Sequence, residues 1–374
     1  MNPFGVAVLA GGVTLVLSLL LPFLVKPLLV RLGIMDVPNE RSSHERPVLR
    51  GLGLAVLIAM AIGGGLAIGL FALRGWPGHS SWDVPLVVLG GSLLAGLLGL
   101  VEDLRGLSVK VRSAALLLVA AGSAVGSVLA VRNLETDASE TASLGRLIGL
   151  PVTPVVPLLP AELEMPWIAL LLVVYAVLFI SSYINVANFM DGLNGISGFH
   201  GVIAGIAFAA AGALSGLPWL VAAGAILAAG FGGFLPWNLT KPGAFLGDVG
   251  SYLLGGGVAI TSFAALVSGV PILATIGPMV IYFGDVGVTL VKRVRAGHKW
   301  DEPHKEHVYQ QLQQQGRSHV AASGITAAFT VAASILGLVS FFVPPIWWLL
   351  LLAGGLALVV VYVRLPKLRT ARAA

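Results

Sequence analysis

The chain has 374 residues, of which 57% are hydrophobic and only 10% charged, and its mean hydropathy is +0.94. Soluble domains carry about 25% charged residues, so this composition excludes an ordinary water-soluble fold and is that of a protein embedded in a bilayer. The absence of cysteine excludes disulfides, thiolate metal sites and a cysteine nucleophile, and the net charge of +5 acquires meaning only once the basic residues are placed.

A bilayer span needs roughly 20 mostly apolar residues. The first 25 residues lack a basic leader and a small-residue cleavage site, so they read as a first span rather than a removable signal peptide. Eleven spans are predicted, at 3–24, 52–73, 84–101, 113–131, 166–184, 199–215, 218–235, 250–267, 270–290, 320–342 and 346–363. No polar segment between them is long enough to fold alone. Residues 1–374 therefore read as one integral membrane domain, an all-α polytopic helical bundle of about 11 transmembrane helices.

An odd number of spans puts the termini on opposite sides and sorts the loops into two sets. Of the 22 Lys and Arg residues, all but Arg74, Arg132 and Arg146 fall in the loops 25–51, 102–112, 185–198, 236–249 and 291–319 and the tail from Arg364. Lys and Arg accumulate in cytoplasmic loops, so the N-terminus is predicted outside and the C-terminus in the cytoplasm, in the inner membrane. The basic excess is then a membrane face, and no nucleic-acid partner is expected. On the outer side the acidic, proline-rich segment 132–165 is expected to be a surface loop holding at most a short hairpin.

The polar clusters fall on the basic side too, at the ends of different spans. In the first loop, Arg41-Ser-Ser43-His44-Glu-Arg46-Pro47-Val-Leu-Arg50 offers His44 and Arg50 to an anionic ligand. After the third span come Glu102 and Asp103, able to bind a hard cation or simply to be solvated at the interface. Spacings of three set Asn185, Asn188 and Asp191 in one helical stripe, with Gly192 breaking the helix before Asn194 and Gly195. Three polar groups in register exceed what one loop cap needs. Asn238 and the glycine-flanked Asp248 precede the eighth span, where Asp248 suits a metal or a plain N-cap. Asp285 lies inside the ninth span, where a carboxylate is costly without a partner. In the last loop His304 and His307 share a helical face beside Arg and Lys, a setting that favours a pyrophosphate-like anion over zinc.

Together NVANFMDGLNG, FLGDVGS and PHKEHVYQQL, in this order, with SHERPVLRGLG ahead of them, resemble the motifs of the polyprenyl-phosphate N-acetylhexosamine-1-phosphate transferases, glycosyltransferase family 4. This bacterial family begins O-antigen, teichoic acid and related glycan assembly and includes the peptidoglycan lipid-I synthase. The resemblance covers residues 40 to 312. It departs at Glu102, where the family has a first aspartate, and at Val48, Leu49 and Leu52.

The resemblance implies transfer of an amino-sugar phosphate from a UDP-amino sugar, UDP-GlcNAc or a 6-deoxy relative, to undecaprenyl phosphate, releasing UMP and needing magnesium, with manganese as the alternative. It implies Asp103, Asp191 and Asp248 as catalytic residues, with Asp248 and Asp191 holding the metal and Asp103 binding or deprotonating the lipid phosphate. It implies substrate contacts from Glu102, Asn185, Asn188, Asn194, Asn238, Asp285, His304, His307, His44 and Arg50, the two histidines of the last loop holding phosphate oxygens. Direct attack and a covalent aspartyl intermediate are both compatible with these motifs, as are a monomer and a homodimer. An ion-coupled transporter would place its polar site near mid-membrane between repeats, and no repeat is evident. An intramembrane aspartyl protease would use Asp191 and Asp248 but leave the Asn stripe and the His loop idle.

Overall fold

The computed structural model describes residues 2–36, 48–74, 82–136, 166–240, 243–298 and 304–373. Among them eleven helices are long and apolar enough to cross a membrane. The chain is a polytopic helical membrane protein. Helix α1 (Pro3–Leu20) starts at Asn2, whose Oδ1 accepts from the Gly5 N–H at 2.8 Å, and breaks before Pro22, where α2 (Pro22–Arg31) begins. A proline at that point has no N–H to continue the ladder.

Two short strands follow, β1 (Met35–Asp36) and β2 (Val48–Leu49), paired antiparallel. They are an addition to the all-α expectation. Then come α3 (Gly53–Arg74), α4 (Asp83–Arg105), α5 (Val109–Thr136), α6 (Pro166–Met190), α7 (Ile196–Ser215), α8 (Pro218–Leu239) and α9 (Gly247–Val267). The ninth predicted span is broken: α10 (Ile272–Ile276) passes through a 3-10 turn at Gly277–Met279, containing Pro278, into α11 (Val280–Arg295). A short α12 (Val308–Gln314), α13 (His319–Val339) and α14 (Trp348–Ala373) complete the chain.

Helix α9 is the axis of the bundle: its whole membrane window is buried, and it packs on α3, α4, α5 and α6. An apolar helix buried on every side is what a central position requires. Close approach is made by absent side chains. A Cβ on Gly53, at the start of α3, would lie 2.4 Å from the Gly250 Cα in α9, and one on Gly99, in α4, would lie 2.1 Å from the Asp248 carbonyl oxygen. Three helix ends thereby meet backbone to backbone.

Several helices run further than the apolar runs alone predict. Helix α4 continues to Arg105, carrying Glu102 and Asp103 on its last turn, and only three residues separate it from α5. Helix α6 continues through Asn185 and Asn188, and α8 runs through Pro236 to Leu239. Helix α5 reaches Thr136, and the remainder of the expected outer loop, 137–165, lies outside the described residues.

Candidate functional site

The start of α9 organises the site. Its N-cap residue, Leu246, has no side chain that can accept a hydrogen bond, so the free N–H groups of the first turn must find acceptors elsewhere. Asp103 supplies them from α4: its Oδ1 accepts from the Asp248 N–H at 3.0 Å and its Oδ2 from the Val249 N–H at 2.9 Å. A carboxylate there also complements the positive end of the helix.

Arg50 is brought to the same place by the backbone. The segment after β2 is joined to the chain ahead of α9: Leu49 bridges Ala244 in parallel, the Phe245 N–H donates to the Leu49 carbonyl at 2.8 Å, and the Gly53 N–H donates to the Leu246 carbonyl at 2.9 Å. Between these bonds the Arg50 guanidinium spans two acids, Nε lying 3.0 Å from Asp103 Oδ1 and Nη2 2.8 Å from Asp248 Oδ2. Asp103 is closed from solvent at 1% exposure, while Asp248 keeps 18% and Arg50 36%. The open members of the cluster are therefore Asp248 and Arg50. From α6, Asn188 Nδ2 donates to Asp248 Oδ1 at 2.8 Å and to Ser251 Oγ at 2.9 Å.

Asp191 stands just past the end of α6, and its Oδ1 accepts from the Ser197 hydroxyl at 2.6 Å. Burial pushes its carboxyl up to about 7; Asp248 and Asp103 add to the rise, against the Ser197 bond and Arg50. Part of Asp191 still reaches solvent. A buried carboxylate with acidic neighbours is one whose charge an added cation would stabilise. Among the described residues no group of three or more His, Asp or Glu stands in a metal-holding arrangement. A magnesium-type site needs less, since that ion is held by one or two carboxylates with water and phosphate oxygens completing the shell.

The remaining predicted residues divide by what they touch. Asn185 turns back on its own helix, donating to the Ser181 carbonyl at 2.9 Å, so the stripe of three does not act as one face. Asn194 and Asn238 brace loops: Asn238 Oδ1 accepts from the Gly195 N–H, its Nδ2 donates to the Ala244 carbonyl at 2.9 Å, and Asn194 Oδ1 lies 2.7 Å from His319 Nδ1. Glu102 closes the turn into α5, accepting from the Leu107 N–H at 2.9 Å and pairing with Arg112 at 3.4 Å. Asp103 was expected to meet a lipid phosphate; here both its oxygens are engaged by α9 and Arg50.

Asp285 was expected to meet substrate and is instead fully buried among protein donors. Its Oδ1 lies 3.0 Å from His307 Nδ1, both its oxygens accept from the Val308 N–H at 3.1 and 3.2 Å, Tyr362 donates to Oδ2 at 3.1 Å and Thr289 to Oδ1 at 3.3 Å. A buried carboxylate needs such partners. The His304 and His307 rings lie 4.9 Å apart, and Glu306 pairs with the buried Arg293. His44 lies outside the described residues.

Three participants escape a reading by residue type. Ser251 and Ser197 anchor Asn188 and Asp191, and Tyr309, fully buried, donates to the Phe189 carbonyl at 3.0 Å, tying the last loop to the end of α6. Both serines follow an aspartate closely in a glycine-rich stretch, which is a weak but present signal.

The model of glycosyl transferase family 4 matches residues 85–266, which hold Asp103, Asn188, Asp191 and Asp248. A "Probable undecaprenyl-phosphate N-acetylglucosaminyl 1-phosphate transferase" of Bacillus subtilis is 27% identical over 316 residues, 83% of this chain and 78% of that protein. The decaprenyl-phosphate N-acetylglucosaminephosphotransferase of Mycolicibacterium smegmatis is 28% identical over 324 residues, 79% of this chain and 72% of its own. The phospho-N-acetylmuramoyl-pentapeptide-transferase of Desulforudis audaxviator is 26% identical over 280 residues, 72% and 82% respectively.

Proposed function

We propose that this chain, whose residues 85–266 match the model of glycosyl transferase family 4, is a sugar-phosphate transferase that moves N-acetylglucosamine 1-phosphate, or the 6-deoxy analogue, from a UDP-sugar to undecaprenyl phosphate. The products are a polyprenyl-diphospho-sugar and UMP, and the step begins a cell-surface glycan of the O-antigen kind. The observation that carries the reading is the convergence of Arg50, Asp103, Asn188 and Asp248, from four separate segments, at the start of α9. With 19 basic residues on the same side, the catalytic face is cytoplasmic, and the membrane is the bacterial inner membrane.

The reaction joins two anions. An oxygen of the acceptor phosphate forms a bond to the sugar-side phosphorus of the donor, the bridge from that phosphorus to the uridine-bearing phosphate breaks, and its electron pair leaves with UMP. Catalysis of such a step is mainly positioning and charge stabilisation. Arg50, partly open, offers its guanidinium to a phosphate; Asn188 holds Asp248 in place; His304 and His307 bind phosphate oxygens. Asp103 positions, because its oxygens fix the backbone that carries Asp248. The oxygen donors fit a hard divalent cation: Asp248 and Asp191 would hold magnesium, which when bound offsets the charge brought by the two phosphates.

The test is transfer of radiolabelled sugar phosphate from UDP-GlcNAc, and then from 6-deoxy analogues, to undecaprenyl phosphate by the purified chain with magnesium, manganese or EDTA. Metal-dependent lipid product with one UMP per transfer is expected. No product from any UDP-amino sugar with folded, lipid-supplied protein would sink the proposal. Arg50→Lys should lower kcat/KM by roughly 10- to 100-fold, because a single ammonium cannot fork between Asp103 and Asp248 and still face a phosphate. Unchanged kinetics in that variant would remove Arg50 from the site.

A further inference from the structure

Helix α14 is the least enclosed of the spans: only 6% of its membrane window is buried, and large apolar side chains such as Leu349, Leu350 and Leu356 face outward. A helix so placed is expected to contribute packing area and little else. It nevertheless buries one polar side chain completely, Tyr362, at 0% exposure. The ring packs on Phe329 with centroids 5.5 Å apart, a contact a phenylalanine would make equally well. The hydroxyl is therefore the part that needs explaining. It donates to Asp285 Oδ2 at 3.1 Å, and the Thr326 hydroxyl of α13 sits 3.0 Å from it.

Asp285 in turn meets His307. A carboxylate at Oδ1 can only accept, so the His307 Nδ1, 3.0 Å away, carries the hydrogen of that bond. With Nδ1 held, the ring, 3% exposed, is fixed in orientation, the logic by which a buried aspartate orients a histidine in other enzymes; it is the doubly protonated ring whose Nε2–H would donate to a phosphate oxygen. The carboxylate can hold the ring only if it is itself held. The Val308 N–H spans both oxygens, Thr289 reaches Oδ1, and Tyr362 is the one side-chain donor to Oδ2 among the described residues. Gln315 ties the same region to α14 again, its Nε2 donating to the Pro366 carbonyl at 2.9 Å.

We infer that Tyr362, on the last membrane helix, is a positioning residue for His307, acting through Asp285 so that the Nε2 edge of His307 is presented to a substrate phosphate. The inference rests on the reading of His307 as a phosphate-binding residue of the transfer reaction. It extends the functional unit to a helix far outside the family match at residues 85–266.

The test uses the full chain in phospholipid nanodiscs with UDP-GlcNAc and undecaprenyl phosphate. Tyr362→Phe should lower kcat by about 10-fold, the scale of one hydrogen bond lost from a buried network, with the donor KM changed less than about 3-fold and the thermal midpoint nearly kept. In a His307→Ala background the same substitution should cost nothing further, since residues acting as one unit are not additive. An unchanged kcat, or an equal 10-fold loss without His307, overturns the inference. A second readout needs no turnover: in ¹⁵N-histidine-labelled protein the His307 resonance, identified by its loss in His307→Ala, should show a protonated Nδ1, and Asp285→Asn should abolish that preference. An Nε2-only proton in the unsubstituted protein overturns the inference even without an assay, whereas a protonated Nδ1 with no transfer from any donor overturns only the functional reading.

Discussion

Asp248→Asn is expected to lower sugar-phosphate transfer by about 10²- to 10³-fold, the scale on which loss of one preorganised electrostatic contact is felt, while the protein stays folded. The amide is nearly isosteric. Its oxygen can still accept from Asn188, which now approaches Oδ1 at 2.8 Å, but its NH₂ cannot accept from Arg50, which now approaches Oδ2 at 2.8 Å. The negative charge is lost from the partly open acid of the cluster, and with it the better of the two proposed oxygen ligands for a divalent cation. Stability should change little, because Asp248 is on the first turn of α9 and its backbone N–H stays bonded to Asp103. The measurement pairs initial rates across a magnesium series with thermal unfolding of the same sample. A variant within about 3-fold of the parent at saturating magnesium would take Asp248 out of the machinery.

Much of this was legible in the chain because the chemistry sits at span ends. Apolar runs of about 20 residues mark the helices, and the motif around Asp248 announces itself as acid and glycine where a span begins. What was less legible is what tertiary contact decides. Helix α6 runs on past the expected limit at 184, so Asn185 and Asn188 are helical, and their separate fates, one bonded back to Ser181 and the other reaching Asp248, depend on what packs opposite each. Spacing of three places residues on a face without saying which neighbour that face meets.

Arg50 is the clearest case of partial legibility. The run SHERPVLRG reads as a polar loop, and nothing local shows that β2 will pair with Met35–Asp36 on one side and bridge Ala244 on the other, which is what carries Arg50 between two acids. Asn194, Asn238 and Glu102 look from sequence like ligands, and in the fold Asn238 and Glu102 satisfy backbone donors at loop corners while Asn194 donates to the Asn238 carbonyl, the commonest use of such side chains. Asp285 and Tyr362 are separated by 77 residues, and no periodicity links them.

Asp103→Ala separates from Asp248→Asn by costing stability as well as rate. The alanine leaves the Asp248 and Val249 N–H groups without the oxygens that now accept from them at 3.0 and 2.9 Å, in a position closed to solvent. Leaving buried donors unsatisfied costs about 1–3 kcal/mol each, partly offset here because one of two crowded carboxylates is removed. The first turn of α9 should fray, and since Asp248 rides on that turn, transfer should fall at least as far as in Asp248→Asn, with a clear drop in thermal midpoint that Asp248→Asn does not show. Asp103→Asn is the informative intermediate: one amide oxygen can cap one N–H, so part of the stability should return while Arg50 keeps only Asp248 as a charged partner. Unfolding curves and initial rates on the three variants decide the role of Asp103. If Asp103→Ala kept its midpoint and lost only rate, the carboxylate would be acting on substrate directly, and the account of Asp103 as the cap that positions Asp248 would be wrong.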